Sequence, residues 1–346
     1  MVDFPKIRAA RIGALVAMTC VGIAAAGCGN SSTSTGSGGS SSTPSGSASA
    51  SQASGTASVA YAASLAFLNE KIVGPAFATA SGLKYSGTAG PSDGLESEIA
   101  SKVISPDAFE AVGGDNITPL FPKFTKWYVQ YATTSIVLAY NPKGKYASQF
   151  KAIASGAKPI TNLFPLLETP GLKLGRTDPN TDPQGRAFIY MLELAQLKYH
   201  LPSNTVTKII GSPIASANSS QVFAEASLES TLQSGQLDAS SAYLSQARQL
   251  HLSYITLPSA INLGDAADAT AYHNASITIT GKVTKHGSPL TIDITVINNS
   301  PAGTKFVVYV LSSAGLALHQ QGGYTLLKPT LTGSDAPAAV TSELGS

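Results

Sequence analysis

The sequence predicts an α/β fold standing on a flexible leader, and three observations predict it. A strand, a small polar residue and an amphipathic helix follow one another at residues 58–76 and again at 84–103, and the same order returns ahead of residue 183. Between this region and the N-terminus lies a tract of Ser, Gly and Thr that cannot bury a core. Strict alternation of apolar and polar residues is confined to residues 274–298, so strands elsewhere alternate with helices and the expected architecture is parallel-rich.

The first residues carry Lys6, Arg8 and Arg11, then an apolar run over 12–26, then Gly27 and Cys28. A basic start and an apolar stretch too short for an ordinary membrane span read as an export signal. Its end, "AAGC" at Ala25 to Cys28, resembles the bacterial lipobox, which implies cleavage after residue 27 and lipidation of Cys28. The other cysteine, Cys20, would leave with the signal, so the mature chain would keep no thiol for a disulfide or a Cys-ligated metal. Residues 28–57 then form a tether whose reach is on the order of 30 Å.

The folded part opens with "SVAYAAS", a buried strand ending at Ser64, after which Leu65, Leu68, Ile72 and Ala76 recur at helical spacing. A weak strand at "LKYSG" leads to Ser92, Asp93 and Gly94 and to a helix with Leu95, Ile99 and Val103 on its apolar face. "DAFEAV" and "SIVLAY" are further strands, the second β-branched and uninterrupted. "GLKLGRT" precedes the loop "RTDPNTDPQGR", where Asp182 is placed to cap a helix and Pro183 suits its first position. Leu228 and Leu232 mark another helix, closed by Gly235 and followed by strands at 238–243 and "LSYITLP". A hairpin is expected to turn at His286-Gly287, a final helix to run over 304–312, and residues 329–346 to be loose.

The whole chain has a formal charge of +2, most of it in the signal, so the mature protein is near neutral. That excludes a basic nucleic-acid surface or a polybasic membrane surface. An exported hydrolase would also have strands and exposed serines, but the chain has no G-x-S-x-G elbow. The five histidines, His200, His251, His273, His286 and His319, form no metal pair at helical spacing.

"FPKFTKWYVQYATTSIVLAYNPKGKYA", "GRTDPNTDPQGR" and "LQSGQLDASSAYLSQARQLHLSYITLPSAINLGD" occur in this order, followed by the hairpin. Together they resemble the molybdate/tungstate-binding proteins of ABC importers, especially the tungstate-binding type, over residues 61–328. The resemblance implies a two-lobed periplasmic-binding-protein fold of class II type, with a hinge of two crossing strands. One lobe would comprise 58–139 and 262–328, the other 140–261, with "VLAYNP" and "LPSAINLG" as the crossings. It further implies a monomer without cofactor, tethered to the membrane outside the cell through its lipid, that hands tungstate or molybdate to permease subunits.

Carried over residue by residue, Ser64 in "YAASLAF" and Ser92 in "AGPSDGL" match the two ligand-binding serines. Pro91 and Asp93 depart from the family's usual Ala-Gly-Ser pattern, which leaves Ser86 as a competitor. Asp182 falls on the loop carboxylate, Glu225 on the second carboxylate, and Tyr243 on a tyrosine that donates its hydroxyl. Asp182 and Glu225 would coordinate the anion's hexavalent tungsten or molybdenum, a hard centre that accepts carboxylate oxygen where sulfur does not. Each residue alone has a plainer role: serines and Asp182 as caps, Glu225 as an acid at a helix entry, Tyr243 as a strand aromatic. Arg176 and Arg186 flank the loop and are expected to pair with neighbouring acids rather than with the anion. The same architecture could serve sulfate, phosphate or an organic anion, against which the two carboxylates discriminate.

Overall fold

A computed structural model describes residues 55–345 of the chain. The signal, Cys28 and most of the tether lie outside the described residues. Six strands form the first sheet: β1 (Thr56–Ala62), β2 (Lys84–Gly90), β3 (Ala108–Val112), β4 (Trp127–Thr133), β11 (Thr291–Val296) and β12 (Thr325–Gly333), in the order β12-β4-β11-β3-β1-β2. The second holds β5 (Ile136–Tyr140), β6 (Leu174–Gly175), β7 (Ala239–Tyr243) and β8 (Ser253–Ile255), in the order β6-β7-β5-β8. A hairpin of β9 (Ser276–Ile279) and β10 (Val283–His286) stands apart. Every residue of β3, β5, β7 and β11 is buried, including both faces of β11, whose sequence TIDITV alternates.

The pairing is mixed, not parallel-rich. β1 runs parallel to β2 and β3, and β6 parallel to β7, whereas β11 is antiparallel to β3 and β4, and β5 antiparallel to β7 and β8. The antiparallel strands belong to the segments that leave one sheet for the other and come back. β5 pairs wholly within the second sheet, so the outward passage is at Thr134–Ser135, ahead of the boundary expected at 139/140. The return runs through Leu263 and Gly264. Leu290 ties the two passages together: its carbonyl accepts from Thr134 N at 3.0 Å and its N–H donates to the Leu263 carbonyl at 2.8 Å. A Cβ on Gly264 would stand 2.6 Å from the Ser135 Cβ, so only glycine lets the strands approach this closely.

Seven helices position the site or close the core: α1 (Ser92–Ala100), α2 (Pro183–Lys198), α3 (Glu225–Gln233), α4 (Leu244–Gln249), α5 (Pro301–Leu311), α6 (Ser313–Gln321) and α7 (Ala338–Leu344). α2 is buried almost all round over its first ten residues, as a helix between two layers must be. Its Phe188, Met191 and Leu192 join a core that also takes in Phe77, Ile292 and Phe306.

Four expectations need correction. The hairpin turns at Thr280–Lys282, not at His286-Gly287, because Gly281 and Lys282 take up the positive φ that the tight turn requires (84° and 62°). Residues 329–346 are not loose: β12 continues through Pro329 by a register shift between Leu326 and Thr330, and α7 buries Val340. Proline is tolerated there because the strand is at the sheet's edge and bulged. The last helical stretch is two helices, since Ser312 accepts from Gly315 N and starts α6 where a single helix to residue 312 was expected. Val103 lies beyond α1 and is 73% exposed.

Candidate functional site

Ser64 sits in the helical turn Ala63–Leu65 directly after β1, buried, and its carbonyl accepts a hydrogen bond from the Tyr324 hydroxyl at 3.4 Å. Ser92 is the first residue of α1 after β2. Its hydroxyl caps no helix; it accepts from Val112 N at 3.2 Å, at the end of the adjacent strand β3. Ser86 lies exposed in the middle of β2 beside Ser58, away from these helix starts. Of the two candidates, only Ser92 stands at a helix start.

Asp182 caps α2, accepting from Gln184 N at 2.8 Å, with Pro183 in the first turn as the sequence predicts. Glu225 is the first residue of α3 and is also buried. Two glutamines that the sequence did not single out hold it: Gln184 Nε2 and Gln246 Nε2 donate to its Oε1 at 2.9 and 2.7 Å. Ser241 Oγ in turn donates to Gln184 Oε1 at 2.9 Å, and Tyr243 N donates to Gln246 Oε1 at 3.2 Å. Gln246 Nε2 also reaches Glu229 Oε1 at 3.0 Å, one helical turn beyond Glu225. The Glu225-x-x-x-Glu229 spacing was readable as two acids on one helix face. The glutamines carried no local signal, because their role depends on three separate segments meeting.

The electrostatics of this cluster are unusual. Burial pushes the Asp182 carboxyl up to about 6, against the pull of the Gln184 N–H and the Arg186 guanidinium. Glu225 stands well above the usual carboxyl range through burial and its neighbours Asp182 and Glu229, with Gln246 opposing. Burial also raises Glu229 to about 7. Tyr243 completes the group: its hydroxyl is buried without a hydrogen-bond partner, and burial and the fields of Asp182 and Glu225 keep it protonated. A buried hydroxyl left unpaired costs about 1–3 kcal/mol, and structures retain such groups where something else is to be bound.

The two arginines divide as follows. Arg176 is fully buried and donates to the carbonyls of Thr177 and Ser216. Arg186 forms an ion pair with Asp93 at 2.8 Å. Further contacts dock the hairpin and α6 on these elements: Asn180 Oδ1 accepts from Thr280 N and Oγ1 at 2.8 Å each, Glu193 Oε2 from Ser276 N at 2.8 Å, and the Gly322 carbonyl from Gln249 Nε2 at 2.7 Å.

A cavity of about 500 Å³ opens elsewhere, among Asp115, Gln130, His273, Lys285 and His286, and none of the five predicted ligand residues lines it. A smaller one, about 30 Å³, adjoins it through Asp115, Lys285 and His286 and reaches Val112, Pro183, Arg186 and Tyr190, and none of the five lines it either. Among the described residues no three His, Cys, Asp or Glu side chains are disposed to hold a metal ion. Ser64 and Ser92 stand at helix starts that follow strands of the first sheet, and Asp182 and Glu225 stand at the starts of α2 and α3.

The model of the bacterial extracellular solute-binding protein family matches residues 57–325. The molybdate/tungstate-binding protein WtpA of Thermococcus kodakarensis is 30% identical over 241 residues, covering 64% of this chain and 66% of that protein. Its counterpart in Pyrococcus abyssi is 30% identical over 242 residues, covering 64% and 68%. The chain thus spans about two thirds of the length of these relatives. Among solved structures, the periplasmic molybdate-binding protein of Azotobacter vinelandii shares the fold at 17% identity and a TM-score of 0.52, over 78% of this chain and 99% of that one. PEB3 with bound L-phospholactate shares it at 8% identity and a TM-score of 0.51, over 78% and 99%. The fold is therefore the two-lobed one of periplasmic binding proteins, and the family is one of solute binders rather than enzymes. With the family model matched from β1 to the start of β12, the chain belongs to the bacterial extracellular solute-binding proteins.

Proposed function

We propose that the chain captures tungstate or molybdate between its two lobes, which change over at Thr134–Ser135 and again at Leu263–Gly264, and delivers it to the permease of an ABC importer. The observation that carries this reading is the pair Asp182 and Glu225, buried side by side with the unpartnered Tyr243 hydroxyl. Two carboxylates facing a dianion would repel it, by about 4 kcal/mol for each pair of unit charges 4 Å apart at an effective dielectric of 20. Direct coordination removes the conflict, because hexavalent tungsten or molybdenum takes carboxylate oxygen as a fifth and sixth ligand. Ser64, Ser92 and Tyr243 then donate to the oxo groups. The names of the archaeal relatives support this choice of solute. The lipid anchor at Cys28 would hold the protein at the outer face of the membrane, and the neutral mature surface fits a monomer without affinity for nucleic acid. No cofactor takes part; the metal enters only as the anion's centre.

Isothermal titration of the mature chain with Cys28→Ser tests the reading. Tungstate and molybdate should bind and sulfate and phosphate should not, and Asp182→Asn or Glu225→Gln should collapse that preference. Unchanged selectivity in both variants, or no response to any of the four, would remove the coordination mechanism.

A further inference from the structure

The ion pair between Arg186 and Asp93 links the two halves of the site. Asp93 follows Ser92 at the start of α1, against the first sheet, and Arg186 lies one turn into α2 from Asp182, against the second. Arg186 Nη2 meets Asp93 Oδ2 at 2.8 Å, with the side chains 5% and 17% exposed. Its Nη1 donates to the Pro179 carbonyl at 3.2 Å. Burial works against the guanidinium charge, and the Asp93 carboxylate overcomes it. The positive field still reaches the site, where it pulls both Asp182 and Tyr243 downward. A permanent cation thus stands beside the carboxylate cluster with its charge paired to Asp93 and one N–H given to the Pro179 carbonyl.

We propose that Asp93 determines which tetrahedral dianions the site accepts, by neutralising Arg186. The inference rests on the oxyanion reading above. Tungstate, molybdate and sulfate share charge and shape, and an uncommitted guanidinium in a desolvated pocket would attract all of them through charge-assisted hydrogen bonds. With Arg186 held by Asp93, sulfate meets two carboxylates and no free cation. Tungstate meets the same groups but offers its metal centre to them. The ion pair thus withholds an attraction that cannot discriminate and leaves coordination to decide. Asp93 touches no solute; it acts through Arg186.

The test compares the mature chain carrying Cys28→Ser with its Asp93→Asn and Asp93→Asn/Arg186→Gln derivatives, titrated with sodium tungstate and sodium sulfate, with folding followed by circular dichroism. Asp93→Asn should raise sulfate affinity relative to tungstate at least tenfold, and the added Arg186→Gln should take the gain back. Asp93→Ser gives the same reading where the asparagine variant does not fold. Loss of affinity for both anions by one common factor would reduce the pair to a clasp between lobes and overturn the proposal. A parent chain that ignores tungstate would instead sink the oxyanion reading, and this inference with it.

Discussion

Two groups of buried acids in this molecule are treated in opposite ways. Glu110, on β3, is ringed by polar partners: Asn69 Nδ2 donates to it at 2.8 Å and the Tyr131 hydroxyl also donates, while His319 lies alongside with Nε2 at 3.3 Å and Nδ1 against the Gly315 carbonyl at 2.9 Å. Asp182, Glu225 and Glu229 have between them one backbone N–H and two glutamine amides, and the nearby Tyr243 hydroxyl is left unused. A saturated acid is a structural joint, whereas an under-satisfied cluster is a place prepared for something that arrives. Under-satisfaction alone is not the mark, since Asp293 on β11 also keeps an unpartnered Oδ1; what is particular to Asp182, Glu225 and Glu229 is that three such acids stand together.

The comparison can be broken at its strongest point first. Glu110→Ala should destabilise the protein by about 3–5 kcal/mol, because it strands the Tyr131 and Asn69 donors in a dry interior. Denaturant unfolding would show it, and a change below 1 kcal/mol would mean the network is ornamental. Glu225→Gln should do the reverse: stability held or improved, tungstate affinity down about a hundredfold, or about 2.7 kcal/mol. Calorimetry and a melting curve on the same sample would separate the two effects. Tyr243→Phe should leave the melting temperature unchanged and lower tungstate affinity about tenfold, since it deletes a hydroxyl without a protein partner. A marked drop in stability would show that the hydroxyl serves the fold.

The smallest effect concerns pH. Asp182 at about 6 and Glu229 at about 7 bind protons in the folded state that the unfolded chain, with carboxyls near 4, has released. The native state then holds more protons, so stability is complete below about pH 4 and declines as pH rises through 6 to 7. Melting of the ligand-free protein should fall by a few degrees between pH 5 and 8, at about 2–4 °C per kcal/mol. Glu229→Gln should flatten that slope, and an identical slope in the variant would free Glu229 of the role.

Much of this site could be read from local chemistry. Asp182 with Pro183 announces a helix start, and Ser64 and Ser92 each follow a strand, so the chain itself marks three of the five proposed solute contacts. Glu225 and Tyr243 became visible only through the family's order of motifs, since an acid at a helix entry and a strand tyrosine are commonplace. Gln184, Gln246 and Tyr324 were beyond reach because their partners come from elements 41, 62 and 260 residues away in sequence. The misplaced hairpin turn has a different cause: Gly281-Lys282 and His286-Gly287 both pair glycine with a basic residue, and only the register decides between them. The tail was misjudged because proline normally ends a strand, and a bulge at the sheet's edge absorbs it here.

The meeting of Gly264 with Ser135 has a mechanical consequence. Two chain passages pressed together at one point, and laced there through Leu290, behave as a pivot: they resist sliding and shear but yield to twist. Motion of one half against the other is thereby reduced to rotation about an axis through that contact, and the rims furthest from it sweep the widest arc. A side chain as small as alanine at position 264 would pry the pivot open by its own width and shift the resting angle of the whole jaw.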